Sequence, residues 1–138
     1  VGHAGTLDPL ATGLLILCTG KFTKKIDQFQ AEIKEYTGTI TLGGTTPSFD
    51  LETQIDQQFP TDHITEDLVY QTTKKFTGTL DQTPPLYSAI KKDGVRPYEL
   101  ARKGETTEIK SRRIEIKTFE VTNIEMPKIE FRVVCSKG

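Results

Sequence analysis

Between residues 113 and 133 the side chains of Ile114, Ile116, Phe119, Val121 and Ile124, then Ile129, Phe131 and Val133 beyond Pro127, recur mostly at even spacing. A period near two places apolar groups on one side of an extended chain, so two such runs parted by a short proline-bearing break predict adjacent, antiparallel strands. A strand pair with one apolar face needs a cover, which the rest of the chain must supply as helices.

The alternation returns over residues 34–42, with Tyr36, Gly38, Ile40 and Leu42 on one side and Thr37, Thr39 and Thr41 on the other. This predicts a further strand, ended by Gly43-Gly44 and followed to Asp50 by a polar loop with one exposed aromatic, Phe49. The continuous apolar run at 14–18, closed by Thr19-Gly20, predicts a strand buried on both faces. A short helix is expected over 24–30. A capped helix is expected over 65–76, where Thr65 precedes Glu66 and Asp67 and Gly78 follows the last turn. Pro84-Pro85 then breaks the chain, an extended segment runs over 86–90 to the Asp93-Gly94 turn, and a helix over 97–102 starts at Pro97 and stops at Gly104. The fold class that results is α/β in the α+β sense, a mixed and largely antiparallel sheet with helices packed on it. At 138 residues and 35% hydrophobic content the chain can fill one core, so one domain or part of one is expected.

Composition narrows the function classes. The longest apolar stretch, 14–18, is far below the roughly 20 residues of a membrane-spanning helix, so a soluble, cytoplasmic chain with no membrane partner is expected. Cys18 and Cys135 lie far apart in apolar runs and belong to no CxxC or Cys/His cluster, which predicts buried thiols in a reducing compartment and no metal. A net charge of -1 gives no overall push toward nucleic acid. Residues 91–113 nonetheless hold eight basic against four acidic side chains, a modest surplus that on charge alone reads more often as a solvated face than as a binding patch. Val1 is not a methionine and a dense motif begins at Gly2, which reads as a start cut from a longer protein.

That motif is Gly2-His3-Ala4-Gly5-Thr6-Leu7-Asp8-Pro9-Leu10-Ala11-Thr12-Gly13. Glycines permit positive φ and close approach of a ligand to the main chain, and Pro9 stiffens the backbone directly after Asp8. A carboxylate held on such a loop can serve as nucleophile, base or metal ligand. The bland alternatives are an Asx-turn or N-cap for Asp8 and a structural role for His3. The glycine order fits neither GxxxxGK[ST] nor GxGxxG, which argues against a nucleotide-phosphate loop.

The dodecapeptide resembles the catalytic motif of the TruB family of tRNA pseudouridine synthases, whose catalytic aspartate aligns with Asp8. Lys34-Glu35-Tyr36 resembles the family's basic-x-Tyr motif. Pro84-Pro85-Leu86-Tyr87-Ser88-Ala89-Ile90-Lys91, with Gly94, Tyr98, Ala101, Arg102 and Gly104, resembles its P-x-x-Y-S-A-x-K-x-x-G-x-x-x-Y-x-x-A-R-x-G signature. Cys135-Ser136-Lys137-Gly138 resembles the opening of its last catalytic motif. The match is closer to the bacterial tRNA branch than to the box H/ACA branch.

The resemblance implies isomerisation of a flipped-out uridine in the tRNA T-loop, at position 55, with Asp8 as nucleophile and Tyr36 stacked on the uracil. His3 would fill the gap left by the base, and Gly5, Thr6, Asp50, Lys91 and Arg102 would contact the RNA. Tyr87 and Tyr98 read as scaffold. The partner implied is the T-arm stem-loop of tRNA, bound by a monomer without cofactor or metal. The family's first motif would precede Val1, and its last continues past Gly138 to an arginine expected to pair with the aspartate. The chain is therefore expected to be a partial catalytic domain, truncated at both ends and lacking a C-terminal RNA-binding domain, with little activity alone. Two other readings stand beside it: a non-catalytic tRNA-binding module, and a carboxylate-dependent phosphate-transfer enzyme with Asp50 and Glu52 on magnesium.

Overall fold

The computed structural model describes residues 1–83 and 111–136. The expected extended segment at 86–90, the turn at Asp93-Gly94, the helix at 97–102 and the residues Tyr87, Lys91, Tyr98 and Arg102 lie outside the described residues. The chain divides into two compact units, Val1–Ile33 and Lys34–Gly138.

The second unit is built on a four-stranded sheet in the order β3-β8-β7-β6, with β3 at Lys34–Thr41, β6 at Gly78–Gln82, β7 at Arg112–Glu125 and β8 at Lys128–Cys135. Every pairing within it is antiparallel. β7 and β8 form the expected adjacent pair, joined across Met126-Pro127, whose peptide bond is cis. Register explains the alternation on β3. Tyr36, Gly38 and Ile40 stand opposite Val133, Phe131 and Ile129, and directly opposed residues of antiparallel strands share a face. On the other face Glu35, Thr37 and Thr39 oppose Val134, Arg132 and Glu130.

Strand β7 keeps its apolar set on the first face by an irregular count. Ile114 and Ile116 are two apart, but Phe119 comes three residues on, Val121 two, and Ile124 three again. The ladder shifts register between Ile116 and Thr118 and between Val121 and Asn123. Each bulge inserts one residue and so reverses the parity of the residues beyond it, returning Phe119 and then Ile124 to the side of Ile116. Opposite them, Phe131 meets Phe119 edge to face, with ring centroids 5.7 Å apart. It also lies over Gly38, where a Cβ would stand 2.9 Å from the ring's Cζ.

Helix α2, Glu66–Lys75, covers this face by packing on β7, and Val69 is its buried residue. The cap expected from the sequence is present: the Thr65 side chain accepts from the Leu68 amide at 3.2 Å. Glu66 and Asp67 sit in the first turn and Lys74 and Lys75 in the last, each sign placed where the helix dipole favours it. Gly78 has φ 107, a conformation that lets the chain reverse from helix into β6 at little cost to glycine. Between α2 and the sheet is a partly open apolar cleft of about 500 Å³, bordered by Ile40, Leu68, Val69, Phe119, Ile129 and Phe131 among others. Buried core residues of the described unit are Val69, Ile114, Ile129 and Cys135.

The first unit holds β1, Gly2–His3, paired antiparallel with β2, Leu17–Cys18, then a 3-10 turn at Gly20–Lys25 and α1 at Ile26–Ala31. The helix expected over 24–30 is thus present, entered through the tighter turn. The buried strand expected over 14–18 is not: only Leu17 and Cys18 pair, Leu14 is 87% exposed, and Cys18 alone is buried. Among the described residues its only ladder partner is the two-residue β1, which limits the regular strand to that length. A second departure is β6, whose Thr79-Leu80-Asp81-Gln82 carries too few apolar groups to show an alternation. Among the described residues it pairs on one side only, at the edge of the sheet, where polar residues are tolerated. Cys18 and Cys135 are both buried and neither forms a disulfide. Among the described residues no helix is long and apolar enough to cross a membrane.

Thr65→Ala should cost about 1 kcal/mol of stability by orphaning the Leu68 amide, seen as a lower urea midpoint with an unchanged denaturant slope.

Candidate active-site loop and the strand of the motif tyrosine

In the first unit the short β1-β2 ladder, extended by a 2.9 Å bond from the Ala4 amide to the Ile16 carbonyl, ties together the two ends of the loop that carries Asp8. At its start the His3 Nδ1 stands 2.6 Å from the Gly5 carbonyl. A carbonyl only accepts, so Nδ1 is the donor in this contact. The sequence motif puts His3 on the loop; in the structure it is the last residue of β1, at the loop's root. Gly5 has φ 102 with open space where a Cβ would be, so its glycine is required by the backbone and not by crowding.

Asp8 opens a tight turn. Its carbonyl accepts from the Ala11 amide at 2.9 Å, with Pro9 in the second position that its fixed φ suits. The turn is therefore held by backbone. Asp8 is exposed, and among the described residues no hydrogen bond or ion pair engages its carboxylate. The Asx-turn or N-cap alternative requires a side-chain bond to a nearby amide, and that bond is not made. Thr6 and Leu7, on the approach to Asp8, are exposed as well.

The second unit carries Tyr36 and Asp50. Tyr36 lies on β3 opposite Val133, 42% exposed. Its strand begins at Lys34, opposite Cys135, so the register unites the basic-x-Tyr motif with the Cys-Ser motif a hundred residues away. Two features fix that junction. The Ser136 amide donates to the Glu115 carbonyl at 2.9 Å, and the Ser136 Oγ accepts from the Glu115 amide at 2.9 Å, so the chain leaving β8 is clamped to β7. The Lys34 ammonium reaches the Ser136 carbonyl at 3.5 Å. On the opposite face, Glu35 receives a bidentate pair from Arg132, at 2.9 and 2.8 Å, and Arg132 is also 3.6 Å from Glu120. The Arg132 hydrogen bonds hold the Glu35 carboxyl below the usual carboxylate range. Arg132 does not stand out in the sequence, and Ser136 does so only as part of the Cys-Ser motif; their partners are set by register, which residue types alone do not reveal.

Asp50 sits in the loop closed by β4, Gly44–Thr45, and β5, Gln57–Gln58. Its Oδ1 accepts from the Ser48 hydroxyl at 2.6 Å and from the Glu52 amide at 2.9 Å, which makes it an Asx-turn residue that shapes the loop. Ser48 and Thr53 share a further hydroxyl contact at 2.6 Å. Among the described residues no three His, Cys, Asp or Glu side chains converge as a metal site would need, so Asp50 and Glu52 have no third partner for magnesium there.

Residues 1–138 match the N-terminal domain of the TruB family of pseudouridylate synthases. The chain is 66% identical over its whole length to a tRNA pseudouridine synthase B of Flavobacterium johnsoniae and 58% identical to that of Parabacteroides distasonis, covering 60% and 59% of those relatives. It thus spans about three fifths of their length. Among solved structures, a chain in the crystal structure of a Cbf5-Nop10-Gar1 complex is similar with a TM-score of 0.65 and 28% identity, over 99% of this chain and 31% of that one.

Because the folded-state pKa of Glu35 is depressed, the stability it contributes is present above the unfolded carboxylate value and is lost as pH falls through the folded one. The pair is exposed, so the effect is small and screened by salt. The melting temperature of wild type should exceed that of Glu35→Gln slightly at neutral pH, and the gap should close as the pH is lowered through the carboxylate range. A gap that stays constant with pH would refute this account.

Proposed function

The chain belongs to the TruB family of pseudouridylate synthases, and from that we propose that it carries the catalytic aspartate, Asp8, of an enzyme that isomerises uridine 55 in the tRNA T-loop. The observation that supports this best is the carboxylate itself. It stands on the family's motif, exposed, at a turn closed without its help.

The reaction is an isomerisation. The bond from ribose carbon 1′ to uracil nitrogen 1 breaks, the detached base turns, carbon 1′ bonds to carbon 5, carbon 5 gives up its proton and nitrogen 1 gains one. Atoms and electrons balance with no oxidant, so the reading calls for no cofactor or metal. The base must leave the stack to be reached. Asp8 attacks the uracil at carbon 6 or the ribose at carbon 1′, and either route starts from a carboxylate nucleophile. His3, flat and anchored through Nδ1 to the Gly5 carbonyl, fills the space vacated by the base. Tyr36 stacks on the extruded uracil, a contact worth about 1–3 kcal/mol per base. Gly5 and Thr6 give the RNA close approach to the loop backbone, Asp50 supports substrate contacts beside its own loop, and Lys91 and Arg102 place the T-arm phosphates as charges that position without reading sequence. The enzyme is read as a cytoplasmic monomer whose partner is tRNA.

In the protein encoded by the intact gene, Asp8→Asn should reduce pseudouridine formation by at least about a thousandfold while tRNA affinity changes less than severalfold. Mass spectrometry of the modified tRNA, alongside a binding titration, checks both. Unimpaired product from the variant would favour the alternative, a module that binds and folds tRNA without modifying it.

A further inference from the structure

We propose that Phe49 is a base-stacking residue for an unpaired nucleotide of the RNA substrate, a contact outside the catalytic loop; this rests on the RNA-modifying reading above. Phe49 is 76% exposed and is the only non-glycine residue with positive φ, at 64°, among those described. A bulky side chain in the left-handed region is an outlier that persists only where the surroundings over-determine it, and such outliers gather at functional positions.

The surroundings here do so. The Phe49 amide donates to the Thr46 carbonyl at 3.1 Å and the Thr46 hydroxyl to the Asp50 carbonyl at 2.7 Å. The Ser48–Thr53 and Asp50–Glu52 bonds already described close the same turn. At its base Thr45 donates to the Asp56 carboxylate at 2.7 Å. The ring is therefore held out into water by a cross-linked loop, where side-chain entropy would otherwise favour a mobile polar tip.

The chemistry around the ring selects its partner. Its loop mixes the hydroxyls of Thr46, Ser48 and Thr53 and the carboxylate of Asp50 with Pro47 and the exposed Leu51 and Ile55, and Phe49 is its one aromatic ring before Phe59, a flat apolar surface set among hydrogen-bonding groups. A nucleobase has that complementary form, a π-face with hydrogen-bonding edges. The Asp50 carboxylate beside it repels phosphate but accepts from the N–H edge of a base.

The test uses the protein of the intact gene and a T-arm stem-loop RNA. Phe49→Ala should weaken binding by about 5- to 100-fold, Phe49→Trp should retain it, and the dependence of log Kd on log salt should keep its slope because no phosphate contact is lost. Phe49→Gly relaxes the backbone, so it should bind as weakly as the alanine variant while melting no lower than wild type. Alanine and glycine variants that bind within twofold of wild type would overturn the inference. So would a loss confined to alanine and matched by a lower melting temperature, which would mark the ring as covered by another part of the protein. A wild-type protein that neither binds the stem-loop nor makes pseudouridine removes the functional reading itself, a result distinct from these.

Discussion

The pairing of β8 on both of its edges is the constraint from which the second unit is built. Lys128–Cys135 is hydrogen-bonded to β3 on one side and to β7 on the other, so a single register decides which side chains of three strands face α2. A shift of one residue would expose Ile129, Phe131 and Val133 together and turn Glu130 and Arg132 inward. The same register brings residues 34–36 to the end of β8 and thus joins two motifs that are remote in sequence. The Ser136 clamp on Glu115 then fixes where the chain goes after the strand.

The loop of Asp8 is ordered by different means. It has no long ladder to lean on. A two-residue pairing, one further backbone bond and a proline turn define its path, and the glycines at positions 5 and 13 take conformations that another residue would resist. Apart from the His3 contact with the Gly5 carbonyl at its root, this scaffold is bonded through the main chain, and the Asp8 carboxylate takes no part in shaping it. Asp50 illustrates the contrast, since there the carboxylate itself shapes the backbone.

Much of this is legible in the sequence because it is local. Thr65 with two acids after it announces a helix start, alternation announces β3, β7 and β8, and the dodecapeptide announces the loop. The features that cannot be read this way depend on partners distant in the chain. The apolar run at 14–18 resembles a buried strand because hydrophobicity does not reveal how many neighbours a strand will have, and here it has one short one. β6 carries no signal because an edge strand has little need of apolar residues. Arg132 looks like an ordinary surface residue, and the motif around Ser136 does not say what its side chain holds, until register sets them beside Glu35 and Glu115. The three-residue steps from Ile116 to Phe119 and from Val121 to Ile124 look like noise in an alternation and are bulges.

Those bulges make β7 a strand whose length is counted. Its apolar residues stay on one side only because two extra residues sit at particular places, and the two corrections cancel. Deleting a single residue between Ile116 and Phe119 would leave the first half of the strand in phase with the core and the second half out of it, while a compensating deletion at the second bulge would rescue only the far end. A change in chain length is therefore costlier within β7 than in connections whose ends no ladder fixes, and within the strand a change of residue type is borne more readily than a change of number.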